Sequence, residues 1–188
     1  MTSERLGEIP ADQMTEAQRK AATEFAEGRG YPVRGPFAAM LRSPEVMLRA
    51  KAMGDYLRFK SSIPPRLNEL AILIGARTWG QNYEWHAHRQ LAEKAGLRAE
   101  IADAIADGRR PKNLAIDEDV VMDFCTELLT NRCISDATYK RALDLFGEQG
   151  IVDLTAVNGY YSLIAMMLNV ARTALPAGAL PQLQPFPR

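Results

Sequence analysis

The chain has 188 residues, of which 47% are hydrophobic and 24% are charged, and its 23 Lys and Arg residues balance 23 Asp and Glu residues. A chain of this length can form one domain with a sizeable core. The balanced charge argues against a strongly basic nucleic-acid binder or a protein held electrostatically on an anionic membrane, and the composition is typical of a soluble globular protein.

The apolar pattern is helical almost throughout the chain. In chain order, helices are predicted in segments 15–28, 43–62, 64–80, 81–96, 97–108, 117–131, 135–149 and 150–175, with a short turn over 37–42 and a proline-punctuated tail over 176–188. Ser43 followed by Pro44 is a strong helix start signal, and Gly96 and Gly108 stand where helices commonly end. Because strand-like alternation is absent, the predicted fold is all-α.

Two of these helices are too apolar for a surface position. Residues 70–76 are apolar on every face, so we expect this helix to be surrounded by protein. In the last helix the apolar residues cover a wider part of the helix surface than one face packed on a core would need. They are Ile151, Leu154, Val157, Tyr160, Tyr161, Leu163, Ile164, Met167, Leu168 and Val170. We therefore expect a homo-oligomer (dimer, trimer or hexamer), with burial wholly inside one subunit as the alternative.

The sequence also bears on the location of the protein. Its N-terminal 20 residues are polar and lack the apolar core of a secretory signal. The most apolar stretch, 159–171, is short for a membrane span and carries Ser162 and Asn169, so it is predicted to be a buried helix. Cys125 and Cys133 would lie roughly 12 Å apart on one helix, too far for a disulfide. We expect reduced thiols in a cytoplasmic protein.

Both histidines of the chain lie in the stretch "NYEWHAHRQL", residues 82–91. On a helix Glu84 and His88 share one face, one turn apart, whereas His86 points elsewhere. An imidazole titrates near neutrality, and a neighbouring carboxylate fixes its tautomer and raises its basicity. Glu84 and His88 are therefore the candidate pair for proton transfer, with His86 as a second-layer or interface residue.

Glu69 is the third candidate, because it precedes the helical segment that is apolar on every face. If buried, its carboxyl group would be a candidate proton carrier. The alternative is an ordinary first-turn glutamate paired with Arg66. A metal site formed by Glu69, Glu84 and His88 is a further alternative, although the spacing matches no known ligand motif.

A family resemblance adds weight to these residues. "RLNELAILIGARTWGQNYEWHAHRQLAEKAGL" resembles the core of the carboxymuconolactone decarboxylase family, which shares its fold with the alkylhydroperoxidases, and "GEQGIVDLTAVNGYYSLIAMMLNVAR" resembles the C-terminal helix of many longer members. The two stretches together cover about residues 64–174. The resemblance implies an alkylhydroperoxidase-like helical bundle with its core at 61–175, an N-terminal helical extension at 1–60 packed on that core, and a C-terminal tail at 176–188.

The resemblance implies acid–base chemistry rather than thiol chemistry. The redox branch carries a glutamate, a C-x-x-C pair and a histidine; this pattern falls on Glu69, on Gln81 and Glu84 in place of the two cysteines, and on His88. Because thiol peroxidases need a thiolate and a resolving partner, the resemblance favours the decarboxylase branch, which uses no cofactor and acts on a lactone bearing a carboxylate.

The roles that this resemblance implies are specific. His88 is predicted as general acid and base, Glu84 as its orienting carboxylate, and Glu69 as a second proton carrier or polar contact. Gln81, Tyr83 and Arg77 are predicted to bind the substrate, a small organic acid or lactone, with no resident cofactor or metal. The alternative is a non-catalytic oligomeric binding protein that retains the fold.

Overall fold

The computed structural model describes residues 4–185 of the chain, so the ends of the predicted N-terminal and C-terminal segments lie outside the described residues. Its α-helices are α1 Glu16–Arg29, α2 Pro36–Met40, α3 Pro44–Phe59, α4 Pro65–Thr78, α5 Asn82–Lys94, α6 Ala99–Ala106, α7 Ile116–Asn131 and α8 Asp136–Ala171. Residues 4–185 contain no strand. The predicted all-α fold is confirmed.

Helix α4 lies at the centre of the molecule and contacts α5, α6, α7 and α8. Each of its residues from Leu67 to Arg77 is buried. A helix that is apolar all round is stable in water only when other elements cover every face. The prediction that this segment is surrounded by protein is therefore confirmed, and α4 is the fixed element on which the neighbouring helices are placed.

Helix α8 contains a break at Gly147, whose φ of 63° and ψ of −178° are not helical. The positive φ favours glycine, which has no Cβ to clash with the backbone. Two successive helices were predicted with their boundary between 149 and 150, so the break lies a few residues earlier than expected. By length and composition α8 could cross a bilayer, but half of its most apolar window is buried in the protein, as in the core helix of a soluble domain.

The N-terminal helices pack on α8 through polar and close contacts. Buried Asp153 of α8 accepts hydrogen bonds from the Tyr56 hydroxyl at 3.0 Å and from the Ser62 backbone and hydroxyl at 2.8 Å. Gly54 of α3 lies directly against the ring of Tyr160, and a Cβ at this position would fall 2.3 Å from the Tyr160 hydroxyl. The absence of a side chain at Gly54 is what allows α3 to approach α8.

This close approach predicts a large effect of adding one methyl group. Gly54→Ala should destabilise the protein by about 1–3 kcal/mol, because the rigid Tyr160 ring or helix α3 must move to admit the Cβ. Gly75→Ala is the matched control: Gly75 is also inside a helix, and a Cβ there would meet no atom within 4 Å. The control should be neutral or slightly stabilising. Urea unfolding of both variants measures the difference, and equal stabilities would contradict the contact.

The C-terminal tail packs on the start of α5 and the end of α4. Asn82 accepts hydrogen bonds through its side-chain oxygen from the backbone N–H groups of Gln182 and Leu183, both at 2.9 Å. Arg77 donates to the backbone carbonyl of Gln184 at 2.7 Å. These contacts hold the tail across the junction between α4 and α5.

Candidate active site

Helix α5 carries two of the candidate residues, and its start is held by Gln81. The Gln81 side-chain oxygen accepts from the Tyr83 N–H at 2.7 Å, which caps the helix, while its amide donates to the Asn169 side chain of α8 at 2.8 Å. Gln81 thus joins α5 to α8. Glu84 and His88, one turn apart, both face inward and are buried.

His88 pairs with Glu69 of α4. The distance from His88 Nδ1 to Glu69 Oε2 is 2.7 Å, and both side chains are close to nine-tenths buried. A carboxylate can only accept a hydrogen bond, so Nδ1 carries the proton and Nε2 is the nitrogen with a free lone pair. This arrangement prepares Nε2 to accept a proton, and Glu69 to stabilise the imidazolium that results.

The structure exchanges the predicted roles of the two glutamates. Glu84 was expected to orient His88, but the hydrogen bond comes from Glu69 instead. Neither Glu84 oxygen has a hydrogen-bond partner within residues 4–185, and its residue is 2% exposed. The physical reason is the packing of α4 on α5, which brings Glu69 within hydrogen-bond distance of Nδ1 of His88.

Burial raises the pKa of Glu84 well above its usual value. Removal from water disfavours the carboxylate, and no nearby donor or cation compensates for it. The neutral carboxylic acid is therefore the favoured form. A protonated carboxyl group in a protein interior is a proton donor, which is the role complementary to that of His88.

Two tyrosines of α8 complete the wall around His88. The ring of Tyr161 meets the imidazole edge to face, with centroids 4.9 Å apart, and the ring of Tyr160 meets that of Tyr161 in the same way at 5.1 Å. Burial raises the pKa of Tyr160 to about 12 and that of Tyr161 well above its usual value. Both phenols therefore stay neutral, and they limit the rotation of the imidazole ring.

Glu84 and His88 line one cavity of about 940 Å³ together with both tyrosines. Three sides of this cavity come from α1–α3, α5 and α8. Its charged lining residues are Arg29, Arg34, Asp55, Arg58, Lys60, Glu84 and Lys94. Arg29 is paired with Asp55 at 2.6 Å, and burial favours the neutral form of Glu84 by raising its pKa. The remaining cations make the cavity positive, which favours an anionic ligand.

The other predicted residues are divided between the cavity and the scaffold. Tyr83 lines the cavity, and half-buried His86, which was expected to be a second-layer or interface residue, lines it as well. Gln81 and Arg77 are not among the lining residues. The guanidinium of Arg77 contacts the C-terminal tail instead, so its predicted role in substrate binding stays a prediction that the lining of this cavity does not support.

The cationic residues of the cavity were missed by sequence reasoning. Arg58 and Lys60 stand at the end of α3, and Arg34 stands in the loop between α1 and α2. A cluster of basic residues at one helix end was visible in the sequence as "RFK". Only the packing of α3 on α8 shows that this cluster lines the same cavity as His88.

The two cysteines lie away from this cavity. Cys125 is fully buried in α7, receives a hydrogen bond from Asn158 at 3.2 Å, and has its pKa raised to about 12 by burial. Cys133 is exposed beyond the end of α7, and both thiols are free. Within the described ranges, no group of three or more His, Cys, Asp or Glu side chains is arranged to hold a metal ion, so the metal alternative for Glu69, Glu84 and His88 is not supported.

The family resemblance is confirmed by comparison with known proteins. Residues 44–112 match the model of the carboxymuconolactone decarboxylase family. This match begins further toward the N-terminus than the resemblance predicted from sequence, and it contains Glu69, Glu84 and His88 but not α8. The search of curated proteins found no match.

Two solved structures share the fold over nearly the whole chain. One is a Cys→Ala variant of the debrominase Bmp8 in complex with 2,3,4-tribromopyrrole, with a TM-score of 0.71, 10% identity and coverage of 94% of both chains. The other is debrominase Bmp8 without ligand, with a TM-score of 0.70, 10% identity and coverage of 92% of both chains. At this identity the likeness concerns the fold, which includes the N-terminal helices and α8.

Proposed function

We propose that this protein, with the fold and family segment of the carboxymuconolactone decarboxylases, is a cofactor-independent acid–base enzyme that decarboxylates or isomerises a small anionic lactone or unsaturated organic acid. One observation carries the proposal: His88, which is hydrogen-bonded to Glu69, and the carboxyl group of Glu84, whose pKa burial raises, line the same cavity. Proton transfer at carbon requires one group that can accept a proton and a second group that can donate one. Such a pair arises when different surroundings shift the pKa values of two groups apart.

In a decarboxylation the bond from the ring carbon to its carboxylate breaks and carbon dioxide leaves. The electron pair of that bond moves through the ring double bond into the lactone carbonyl, which becomes an enolate oxygen. Glu84 passes its proton to the carbon next to that carbonyl, and water restores the proton to Glu84. Neutral donors in a desolvated cavity stabilise the developing oxyanion more strongly than they would in water.

In an isomerisation the same groups act in sequence. Nε2 of His88 takes a proton from a carbon conjugated to the carbonyl group, and the imidazolium is held by Glu69. Glu84 donates to the enolate oxygen, and the proton is returned at a different carbon. No electrons are gained or lost, so neither reaction requires a redox partner.

The cavity charge supports an anionic substrate. Arg34, Arg58, Lys60 and Lys94 line the cavity, while its acids are Asp55, which is paired with Arg29, and neutral Glu84. A volume of about 940 Å³ is at the upper end of ordinary small-molecule sites and accommodates one small ring with its substituents. The complex of Bmp8 with 2,3,4-tribromopyrrole is an example of this fold binding a small substituted ring.

The experiment is a turnover assay of the purified protein on γ-carboxymuconolactone, related lactones and their methyl esters, with carbon dioxide release and product structure followed separately. We expect at least one free acid to react, and its ester to react at least about tenfold more slowly, because the ester lacks the charge that the cavity selects. Binding without turnover of any compound would contradict the proposal and favour the non-catalytic binding protein.

A further inference from the structure

The outward face of α8 carries a regular apolar stripe that nothing in the described chain covers. Its members recur at alternating spacings of four and three residues, which places them in one straight line along a helix. They are Val152, Ala156, Gly159, Leu163, Met166 and Val170. Val152, Leu163, Met166 and Val170 are between 37% and 65% exposed, Gly159 is exposed and Ala156 is half-buried.

This face is also free of charge. From 150 to 171 the one ionisable acid or base is Asp153, which is buried and held by Tyr56 and Ser62. The polar residues beside the stripe are Thr155, Ser162 and Asn169, which are uncharged, and exposed Trp79 donates to Ser162 at 3.0 Å and widens the apolar surface. An exposed helix face normally carries charged residues. Because this face has none, a second apolar helix can pack on it, and two copies of the face can meet without repulsion between like charges.

From the order of large and small residues we infer that the occupant is a second copy of α8, running antiparallel across a two-fold axis level with position 161. In that arrangement, residues equidistant from position 161 face each other. The pairs are Val152 with Val170, Ala156 with Met166, and Gly159 with Leu163 of the partner. Two of these pairs join a large side chain to a small one, and the third joins two valines of intermediate size, so no layer holds two large or two small side chains, as interdigitated helix packing favours.

Gly159 gives independent support to this alignment. A Cβ at Gly159 would meet no atom within 4 Å, so nothing inside the subunit requires a glycine there. Glycine inside a helix is unfavourable relative to alanine. The antiparallel pair explains its presence, because Leu163 of the partner occupies the space above it.

The predicted interface is small. The stripe spans about 27 Å along the helix, so a pair of such faces buries on the order of 1,000 Å² in total, near the lower limit for a specific interface. The dimer should therefore dissociate at low protein concentration. None of the stripe residues lines the cavity, and Tyr161, which contacts His88, lies on the opposite face of α8 at about 100° per residue.

The test is sedimentation velocity of the full chain over a wide concentration range. Leu163→Glu should abolish the dimer, whereas Ile116→Glu, which alters an equally apolar exposed residue at the start of α7, should leave it intact.

Met166→Ala and Ala156→Met should each raise the dissociation constant on the order of tenfold or more. The double variant Ala156→Met/Met166→Ala should recover most of this loss, since it exchanges the two partners of each pair. Circular dichroism confirms that each variant is folded.

Within one chain positions 156 and 166 are about 15 Å apart along the helix, so recovery in the double variant reports a contact between subunits. A parallel dimer, which pairs each residue with its own copy, predicts no recovery. A wild-type protein that stays monomeric, an assembly that survives Leu163→Glu, or a double variant as weak as its weaker parent would overturn the inference.

Discussion

His88→Ala should reduce kcat/KM by about 10²–10⁴-fold with little change in substrate affinity. His88 lines the cavity while its Nδ1 is held by Glu69, and loss of a positioned general base typically has an effect of this size. Steady-state kinetics on the substrate identified in the turnover assay measures it. His88→Gln is the companion variant, since glutamine retains most of the side-chain volume beside Tyr161 while lacking a basic nitrogen.

His86→Ala is the matched control for that result. His86 is two residues away on the same helix and lines the same cavity, but no carboxylate within residues 4–185 forms a hydrogen bond or ion pair with it. We expect a change smaller than roughly tenfold, the ordinary range for loss of one binding contact. If His86→Ala and His88→Ala reduce kcat/KM equally, or if His88→Ala retains full activity, the Glu69–His88 pair is structural rather than catalytic.

Glu84→Gln should have two opposite effects, of which the first is a loss of activity of about 10²-fold or more. Glutamine has nearly the same shape as a protonated glutamate, but its amide cannot transfer a proton. The cavity volume and substrate affinity should therefore change little while kcat falls. Measurement of kcat and KM separately distinguishes this outcome from a change in binding.

The second effect is a gain in stability that grows with pH. Because burial raises the pKa of Glu84 in the folded protein, the folded state retains a proton that the unfolded chain releases above its own pKa of about 4.3. The free energy of unfolding of the wild type therefore falls as pH rises through the interval between these two values, by up to about 1.4 kcal/mol per pH unit. Glu84→Gln removes that penalty and should be more stable at neutral pH by roughly 1–3 kcal/mol.

Urea unfolding of the two proteins at several pH values measures this difference. Glu100→Gln, which alters an exposed glutamate in the first turn of α6, is the control and should track the wild type. Parallel pH profiles for wild type and Glu84→Gln would show that Glu84 ionises normally in the folded state. In that case its role as proton donor would have to be abandoned.

The helical architecture could be predicted from the sequence because its determinants are local. The periodicity of apolar residues, Ser43 and Pro44 before α3, and the continuous apolar run in α4 lie within single elements. Helix ends moved by a few residues, and the break in α8 depends on the positive φ of Gly147. Several glycines nearby could have adopted such a conformation, and their sequence context does not distinguish them.

Sequence reasoning identified the correct region of the candidate site but assigned the wrong contacts within it. The four-residue spacing placed Glu84 and His88 on one face of α5, which the structure bears out. The spacing also suggested a hydrogen bond between Glu84 and His88, because residue spacing can reveal only contacts between neighbours on the same helix. The actual partner, Glu69, is 19 residues away on another helix.

The sequence alone determined an all-helical chain with an enclosed central helix and a set of acid and imidazole groups on two adjacent helices, since helix periodicity, capping and apolar runs act over a few residues. Tertiary structure alone decided that Glu69 meets His88, that Glu84 has no hydrogen-bond partner among residues 4–185, that the cations of the N-terminal segment line the cavity, and that Arg77 contacts the tail instead. The physical reason is that hydrogen bonding, desolvation and cavity charge depend on distances across space between separate helices, and those distances exist only once α4, α5 and α8 have packed.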